Sequence, residues 1–402
     1  MNINEELVVI KRNIVDILPN ERELREKLEQ AKSQSRPLKI KYGVDPTAPD
    51  IHLGHTVVLR KLREFQNLGH IVQFLIGDFT AKIGDPSGRN ELRKPLGEDV
   101  IRENSLTYQK QVFKILDESK TELIYNSKWF GKMNFADFLK ISSHYTVARV
   151  LERAEFKERF KKNQEISLLE FMYPLLQGYD SVMLENDIEI GGTDQTFNLL
   201  VGRDLQKTYG QKEQIVLTMP LLEGTDGVRK MSKSYGNYIG ITDMPSQVYG
   251  KTMSIPDNLI FRYMELLTFL EHDKIQKMKQ DVEASKMNPR DAKAFLAYEL
   301  VKLYHGEAEA ENSQKEFVKV FSGNEIPDEM PVIEIGKEKI WIVEALVLSS
   351  YAKNKTDANR LIIQGSVEVD SVTIKDPNTD IVLDKEHIIK VGKYRFVKIK
   401  PK

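Results

Sequence analysis

Two short strings, His52-Leu53-Gly54-His55 and Lys230-Met231-Ser232-Lys233-Ser234, concentrate the side chains suited to phosphate chemistry. Imidazoles and ammonium groups donate hydrogen bonds to phosphate oxygens and neutralise charge that develops as a phosphoanhydride bond breaks. That chemistry asks a protein to position groups and needs no covalent nucleophile. His52 and His55 stand three residues apart and share a face if helical. Asp50 reads as the helix N-cap, which would put both rings in the first turn, beside the positive end of the dipole. Gly54 would let a flat base approach the backbone. The second string lies in Thr225–Asn237, a small, polar, cationic loop with almost no apolar content to bury, which reads as mobile. Either string alone is weak, since charged hairpin tips and histidines at helix starts are common. Each gains force from the other.

Further turns carry carboxylates. Gly84-Asp85-Pro86-Ser87-Gly88-Arg89-Asn90-Glu91-Leu92-Arg93 offers Asp85 after a predicted strand, then Arg89 and Arg93. In Ile190-Gly191-Gly192-Thr193-Asp194-Gln195 the glycines permit close backbone approach, and Asp194 can accept from ribose hydroxyls. Tyr173, Gln177 and Asp180, spaced four and three apart, share one helical face. Pro174 is expected to start or kink that helix.

Those residues need a scaffold. Short β-branched runs at 38–44, 71–76, 121–125, 188–190 and 214–217 alternate with amphipathic stretches such as 57–68 and 102–116. The alternation predicts an α/β fold: a Rossmann-like parallel sheet over residues 1–244, with ligands at the carboxyl ends of its strands. Residues 245–321 read as a helical domain, 322–338 as a linker, and 339–402 as a small α+β domain whose capped helix ends at Gly365. The net charge of −1 advertises no global basic field, but residues 338–402 carry 12 Lys+Arg against 9 Asp+Glu, a local excess suited to a phosphate backbone. With no cysteine and seven scattered histidines, neither disulfides nor a metal cage is expected. The acidic start and the lack of a long apolar run point to the cytoplasm and away from a membrane.

Over essentially its whole length the chain resembles the bacterial tyrosyl-tRNA synthetases, class I aminoacyl-tRNA synthetases. The resemblance is carried by Gly43 to Ala48, His52 to His55, Gly84 to Gly88, Tyr173-Pro174-Leu175-Leu176-Gln177-Gly178-Tyr179-Asp180, Gly191 to Gln195 and Lys230 to Ser234. It implies a two-step reaction, in which tyrosine and ATP give tyrosyl-adenylate and the terminal adenosine of tRNA-Tyr then takes the tyrosyl group. It assigns Thr47, His52, His55, Lys230 and Lys233 to the transition state. Gly43, Asp45, Gly54, Gly192, Asp194 and Met231 go to ATP, with Arg89 and Arg93 as further pyrophosphate contacts. Asp180 would accept the substrate phenol, while Asp85, Tyr173, Gln177 and Gln195 complete the tyrosine site. Mg2+ is expected to accompany ATP as substrate, without a protein cage.

The C-terminal segment resembles a small RNA-binding domain shared with a ribosomal protein, which makes Lys353, Lys355, Arg360, Lys393 and Arg395 candidate phosphate contacts. The helical domain is implied to serve the anticodon region. His144 to Leu151 resembles the family's dimer-forming insertion, so a homodimer is expected. One position departs from the pattern: many members carry a tyrosine where this chain has Lys41, and Tyr42 should face the other side of the sheet. Either Lys41 replaces the lost contact with the phenol or Asp180 works with less help. A tryptophanyl enzyme would share both ATP motifs but usually lacks Gln177-Gly178-Tyr179-Asp180. An RNA-binding paralogue without catalysis has no use for intact histidines and lysines, and a small-metabolite nucleotidyltransferase leaves the RNA-type appendages unexplained.

Overall fold

The computed structural model describes residues 2–85, 97–323, 330–392 and 395–402. Two compact units emerge, Met1–Asp243 with Ser254–Leu296, and Met244–Met253 with Ala297–Lys402.

The first unit is built on a six-stranded sheet: β1 (Asp16–Leu18), β2 (Lys39–Val44), β3 (Ile71–Ile76), β4 (Thr121–Tyr125), β5 (Ile188–Gly192) and β6 (Ile215–Met219), in the order β1-β6-β5-β2-β3-β4. All neighbours run parallel except β1, which pairs antiparallel with β6. The short strand β1 is absent from the sequence reading, having too few residues to show a period. The five predicted strands are all present. From β2 the chain steps to β3 on one side, and β5 lies on the other, so the strand order reverses between β2 and β5. A crevice opens outside the carboxyl ends at such a point.

Helices bury their apolar faces on this sheet. The helix Leu53–Asn67 contributes Val57, Leu59, Leu62 and Phe65, all at or near zero exposure, beside Ile40, Val72, Phe74 and Ile190. Each such side chain contributes roughly 1.5–3 kcal/mol. The helix Leu168–Leu184 runs through Pro174, so of the two expectations for that residue, a start or a kink, the start is excluded. Proline gives no N–H to the Glu170 carbonyl and crowds it with its ring, and Glu170 lies in the first turn. That turn is held by a capping box between Ser167 and Glu170 and by the buried Arg159–Glu170 pair at 2.7 Å.

Leu168–Leu184 packs closely on the helix Thr196–Thr208, where glycine is obligatory. A Cβ on Gly178 would lie 2.8 Å from Val201, and one on Gly202 would lie 2.7 Å from the Ser181 hydroxyl.

In the second unit the ring of Tyr249, on the helix Pro245–Met253, packs on Phe317 of the helix Glu307–Gly323, their centroids 5.2 Å apart. Its small α+β part contains β7 (Val332–Ile335), β8 (Lys339–Trp341), β9 (Val367–Val369), β10 (Val372–Ile374), β11 (Asp380–Val382), β12 (His387–Val391) and β13 (Arg395–Pro401). Five of them form one sheet in the order β10-β9-β12-β13-β7, and β11 pairs with β8. Ile342, Leu346, Ala358, Ile362, Val367, Ile389, Val397 and Ile399 fill its core. Among the described residues no helix is long and apolar enough to cross a membrane.

Candidate active site

A cleft of about 1000 Å³ lies at the reversal between β2 and β5. Residues 42–55 leave β2 and residues 191–195 leave β5, so two of the motifs meet there because parallel strands end on the same edge. Thr47, His52, His55, Asp85, Tyr173, Gln177, Asp180, Asp194, Gln195, Lys230, Met231 and Lys233 all line it.

The N-cap of the helix Leu53–Asn67 is His52, and the expected Asp50 cap is not formed. His52 Nδ1 accepts the Gly54 N–H at 3.1 Å, and the His52 N–H is donated to His55 Nδ1 at 3.3 Å. An imidazole thus does the work usually given to a short polar cap, and Asp50 is released to pair with Lys233 at 3.1 Å. Gly54 is required by this arrangement, since a Cβ there would sit 2.9 Å from the folded-back His52 ring. The rings lie with centroids 3.9 Å apart. Burial, with His55, Lys233 and Lys230 nearby, holds His52 well below the usual imidazole range. Burial and Lys233 push His55 down to about 4. Both rings are therefore neutral at neutral pH, and because Nδ1 accepts in each, the hydrogen-bond pattern assigns the proton to Nε2. Each keeps one N–H donor.

The 225–237 loop is more firmly tied than its polarity predicted. Met231 is buried, its N–H donates to the Leu222 carbonyl at 2.7 Å, and its Cβ lies close to Gly54. Buried Asn237 accepts from the Ser232 N–H at 2.9 Å and donates to the Arg229 and Lys230 carbonyls and to Asp226. Polar content here is satisfied internally. Lys230 Nζ meets Asp194 Oδ2 at 2.9 Å.

At the opposite end, the Leu168–Leu184 helix carries its three predicted residues inward. Tyr173 donates to Asp45 Oδ2 at 2.9 Å, and Thr80 donates to Asp45 Oδ1 at 2.7 Å. Burial, together with Asp45, Asp85 and Asp180, raises the Tyr173 phenol well above its usual range. Asp180 accepts from Trp129 Nε1 at 3.0 Å and from Asn126 Nδ2 at 3.4 Å. Burial pushes its carboxyl up to about 7, opposed by Lys41 and by those two donors. Gln177 accepts from Asn198 at 3.0 Å, Asn198 also reaches Gln195, and Gln195 donates to Asp85 at 2.8 Å. Arg153 lies 3.7 Å from Asp85. Gly43 lines the cleft beside Leu75, and a Cβ on Gly192 would crowd Asp194 and Leu221. Lys41 and Tyr42 both line the cleft, which crosses the strand ends and so meets residues from both faces of the sheet.

Trp129, Asn126, Thr80, Asn198 and Arg153 escaped the sequence reading. Asn126 and Trp129 follow β4, and a position just past a parallel strand was the signal available for them. Arg89 and Arg93 lie outside the described residues, as does Lys393. Of the other proposed RNA contacts, Arg360 pairs with Asp357 at 2.7 Å, Lys355 lies over the Trp341 ring, and the Lys353 N–H donates to Asp357. Arg395 donates to the Tyr351 carbonyl at 2.9 Å.

The family model described as tRNA synthetases class I (W and Y) matches residues 32–322. The tyrosine–tRNA ligase of Carboxydothermus hydrogenoformans is 53% identical over 403 residues, covering 99% of this chain and 98% of its own. That of Thermotoga maritima is 52% identical over 399 residues, covering 99% and 98%. Among solved structures, the tyrosyl-tRNA synthetase of Archaeoglobus fulgidus complexed with L-tyrosine superposes with a TM-score of 0.64 at 25% identity, over 78% of this chain and all (100%) of that one. The truncated mitochondrial enzyme of Aspergillus nidulans gives 0.65 at 26% identity, over 79% and 93%.

Proposed function

The chain belongs to the class I tRNA synthetases of the tyrosine and tryptophan group and acts as a tyrosine–tRNA ligase, and from that premise we propose which groups in the cleft do the work. ATP, tyrosine and tRNA are its substrates. Tyrosine lies along the Leu168–Leu184 helix, its phenol donating to Asp180 and its ammonium among Asp85, Tyr173, Gln177 and Gln195. Asp45 and Asp85 beside Tyr173 support that orientation, since an ammonium offsets their charge.

ATP takes the other end, its ribose at Gly192 and Asp194 and its base and α-phosphate along Gly43, Asp45, Gly54 and Met231. The tyrosine carboxylate oxygen bonds to the α-phosphorus as the α–β bridging bond breaks, and that electron pair leaves on pyrophosphate. His52 and His55 donate through Nε2–H, joined by Thr47. Neutral donors suit a site that already holds two lysines, because imidazolium there would repel them. Lys230 and Lys233 exchange Asp194 and Asp50 for phosphate oxygens as charge builds on the leaving group. Arg89 and Arg93 are assigned to the pyrophosphate. Mg2+ enters with the triphosphate, an oxygen-rich ligand that suits it. A ribose hydroxyl of the terminal tRNA adenosine then attacks the tyrosyl carbonyl, and AMP leaves.

Residues 339–402, with Lys353, Lys355, Arg360, Lys393 and Arg395, are assigned to the tRNA backbone, and the helices of 245–321 to its anticodon region. Exposed Phe135, Leu139 and Val147 around the 144–151 segment support a homodimer, and the enzyme is expected to work in the cytoplasm.

The observation that carries this reading is the meeting of Lys230 and Lys233 with the His52–His55 helix start across one cleft. Its test is amino-acid-dependent exchange of pyrophosphate into ATP across all twenty amino acids. Activity with tyrosine alone is expected; exchange with tryptophan alone would overturn the pocket assignment. Reversing charge at Lys353 and Arg360 should impair tRNA charging while sparing exchange.

A further inference from the structure

Lys41 is wholly buried, yet it lines the cleft between the β2 strand and the turn of the helix that carries Gln177 and Asp180. Its ammonium is fully engaged there. Nζ meets Glu189 Oε1 at 2.8 Å, Ser181 Oγ at 2.7 Å and the Gln177 carbonyl at 3.0 Å. Glu189, at 1% exposure on β5, also accepts from Ser181 at 3.0 Å and from Gln214. Three elements, β2, β5 and the Leu168–Leu184 helix, are thus tied at one charged point. The fourth, Thr196–Thr208, approaches with Gly202, where any side chain would intrude on Ser181, Gln214 and Glu189. A buried ion pair of this kind is weak evidence for stability, because well-packed apolar residues often do as well. It does fix geometry.

We propose that Lys41, clamped by Glu189 and Ser181, is a specificity-determining positioning residue for the tyrosine phenol: it pins the 177–181 turn, and with it the Asp180 carboxyl, to the sheet. Lys41 bonds the residues on either side of Asp180 in that turn, so a shift of the ammonium moves the carboxylate. Lys41 also favours Asp180's charged form, and its partner Glu189 opposes it more weakly. A phenylalanine ring entering the same place would leave Asp180 without the phenolic donor, and that penalty is full only while Asp180 is held in place. The inference rests on the proposed assignment of this end of the cleft to tyrosine.

The test compares Lys41→Met/Glu189→Gln, which removes both charges together and so leaves none unpaired, with Ser181→Ala and Asp180→Asn. Pyrophosphate exchange is measured with tyrosine and with phenylalanine, and KM for ATP is recorded. In the double variant the tyrosine-to-phenylalanine ratio of kcat/KM should fall by about ten-fold or more, mainly through tyrosine KM, with ATP KM unchanged. Ser181→Ala should move the ratio the same way by a smaller factor. An unchanged ratio in a folded double variant or in Ser181→Ala overturns the proposal, as does an equal loss for both amino acids and ATP. A tyrosine KM unaltered in Asp180→Asn would instead overturn the assignment of this end of the cleft, and the proposal with it.

Discussion

At one end of the cleft Asp180 is buried and takes hydrogen bonds from Trp129 and Asn126; at the other, Lys230 and Lys233 rest on Asp194 and Asp50 with 34% and 25% of their side chains exposed. Partly exposed ion pairs are worth roughly 0–1 kcal/mol, whereas stranding a buried polar group costs about 1–3 kcal/mol. The lysines can therefore change partners cheaply, and the buried partners of Asp180 cannot. In the proposed assignment, selection of the amino acid rests on a buried lattice of polar side chains. The cations proposed to meet departing charge sit on partly exposed carboxylates.

That contrast is open to attack. The largest effect is expected from Lys233→Ala, which should lower kcat of exchange by about 10²–10³-fold with tyrosine Kd nearly unchanged. Comparable weakening of tyrosine binding, measured by equilibrium titration, would erase the division between the two ends. Next, Asp180→Asn should reduce the preference for tyrosine over phenylalanine by roughly 5- to 150-fold, read as a ratio of kcat/KM.

Third is a pH effect. The Asp180 carboxyl is raised to about 7, so its charged form is lost as pH falls through that value. Tyrosine KM should rise by about ten-fold from roughly pH 8 to roughly pH 6. His52 and His55, held low, stay neutral throughout that window and contribute no opposing change. A flat profile would mean that the ionised form of Asp180 does not matter. The smallest effect is expected from Trp129→Phe, which keeps a ring but removes the indole donor. Tyrosine KM should rise about five-fold, with kcat for exchange spared. A change in kcat alone would place Trp129 on the wrong side of the comparison.

Much of this molecule was legible in its residues. Strands β2 to β6 announced themselves by β-branched runs, and the cleft's edge followed from their parallel alternation. Features set by side chains from distant segments were not legible. Asp50 looked like a cap because short acidic residues before helices usually are, but His52 folded back to take that role. A helix start at Pro174 was one of two local readings, and it is excluded because Arg159 and the Ser167–Glu170 box hold the turn before it. The polar composition of 225–237 does not reveal that Asn237 ties its ends together from within.

The order of residues along the chain determined the α/β class, the chemical types gathered for phosphate and phenol, and the helical spacing of Tyr173, Gln177 and Asp180, because these depend on local periodicity and identity alone. Which carboxylate each lysine meets, where Lys41 sends its charge, and which donors fix Asp180 were decided only by the tertiary structure. Those contacts span gaps of up to 183 residues, between Lys233 and Asp50, and their strength depends on burial that only the packed chain creates.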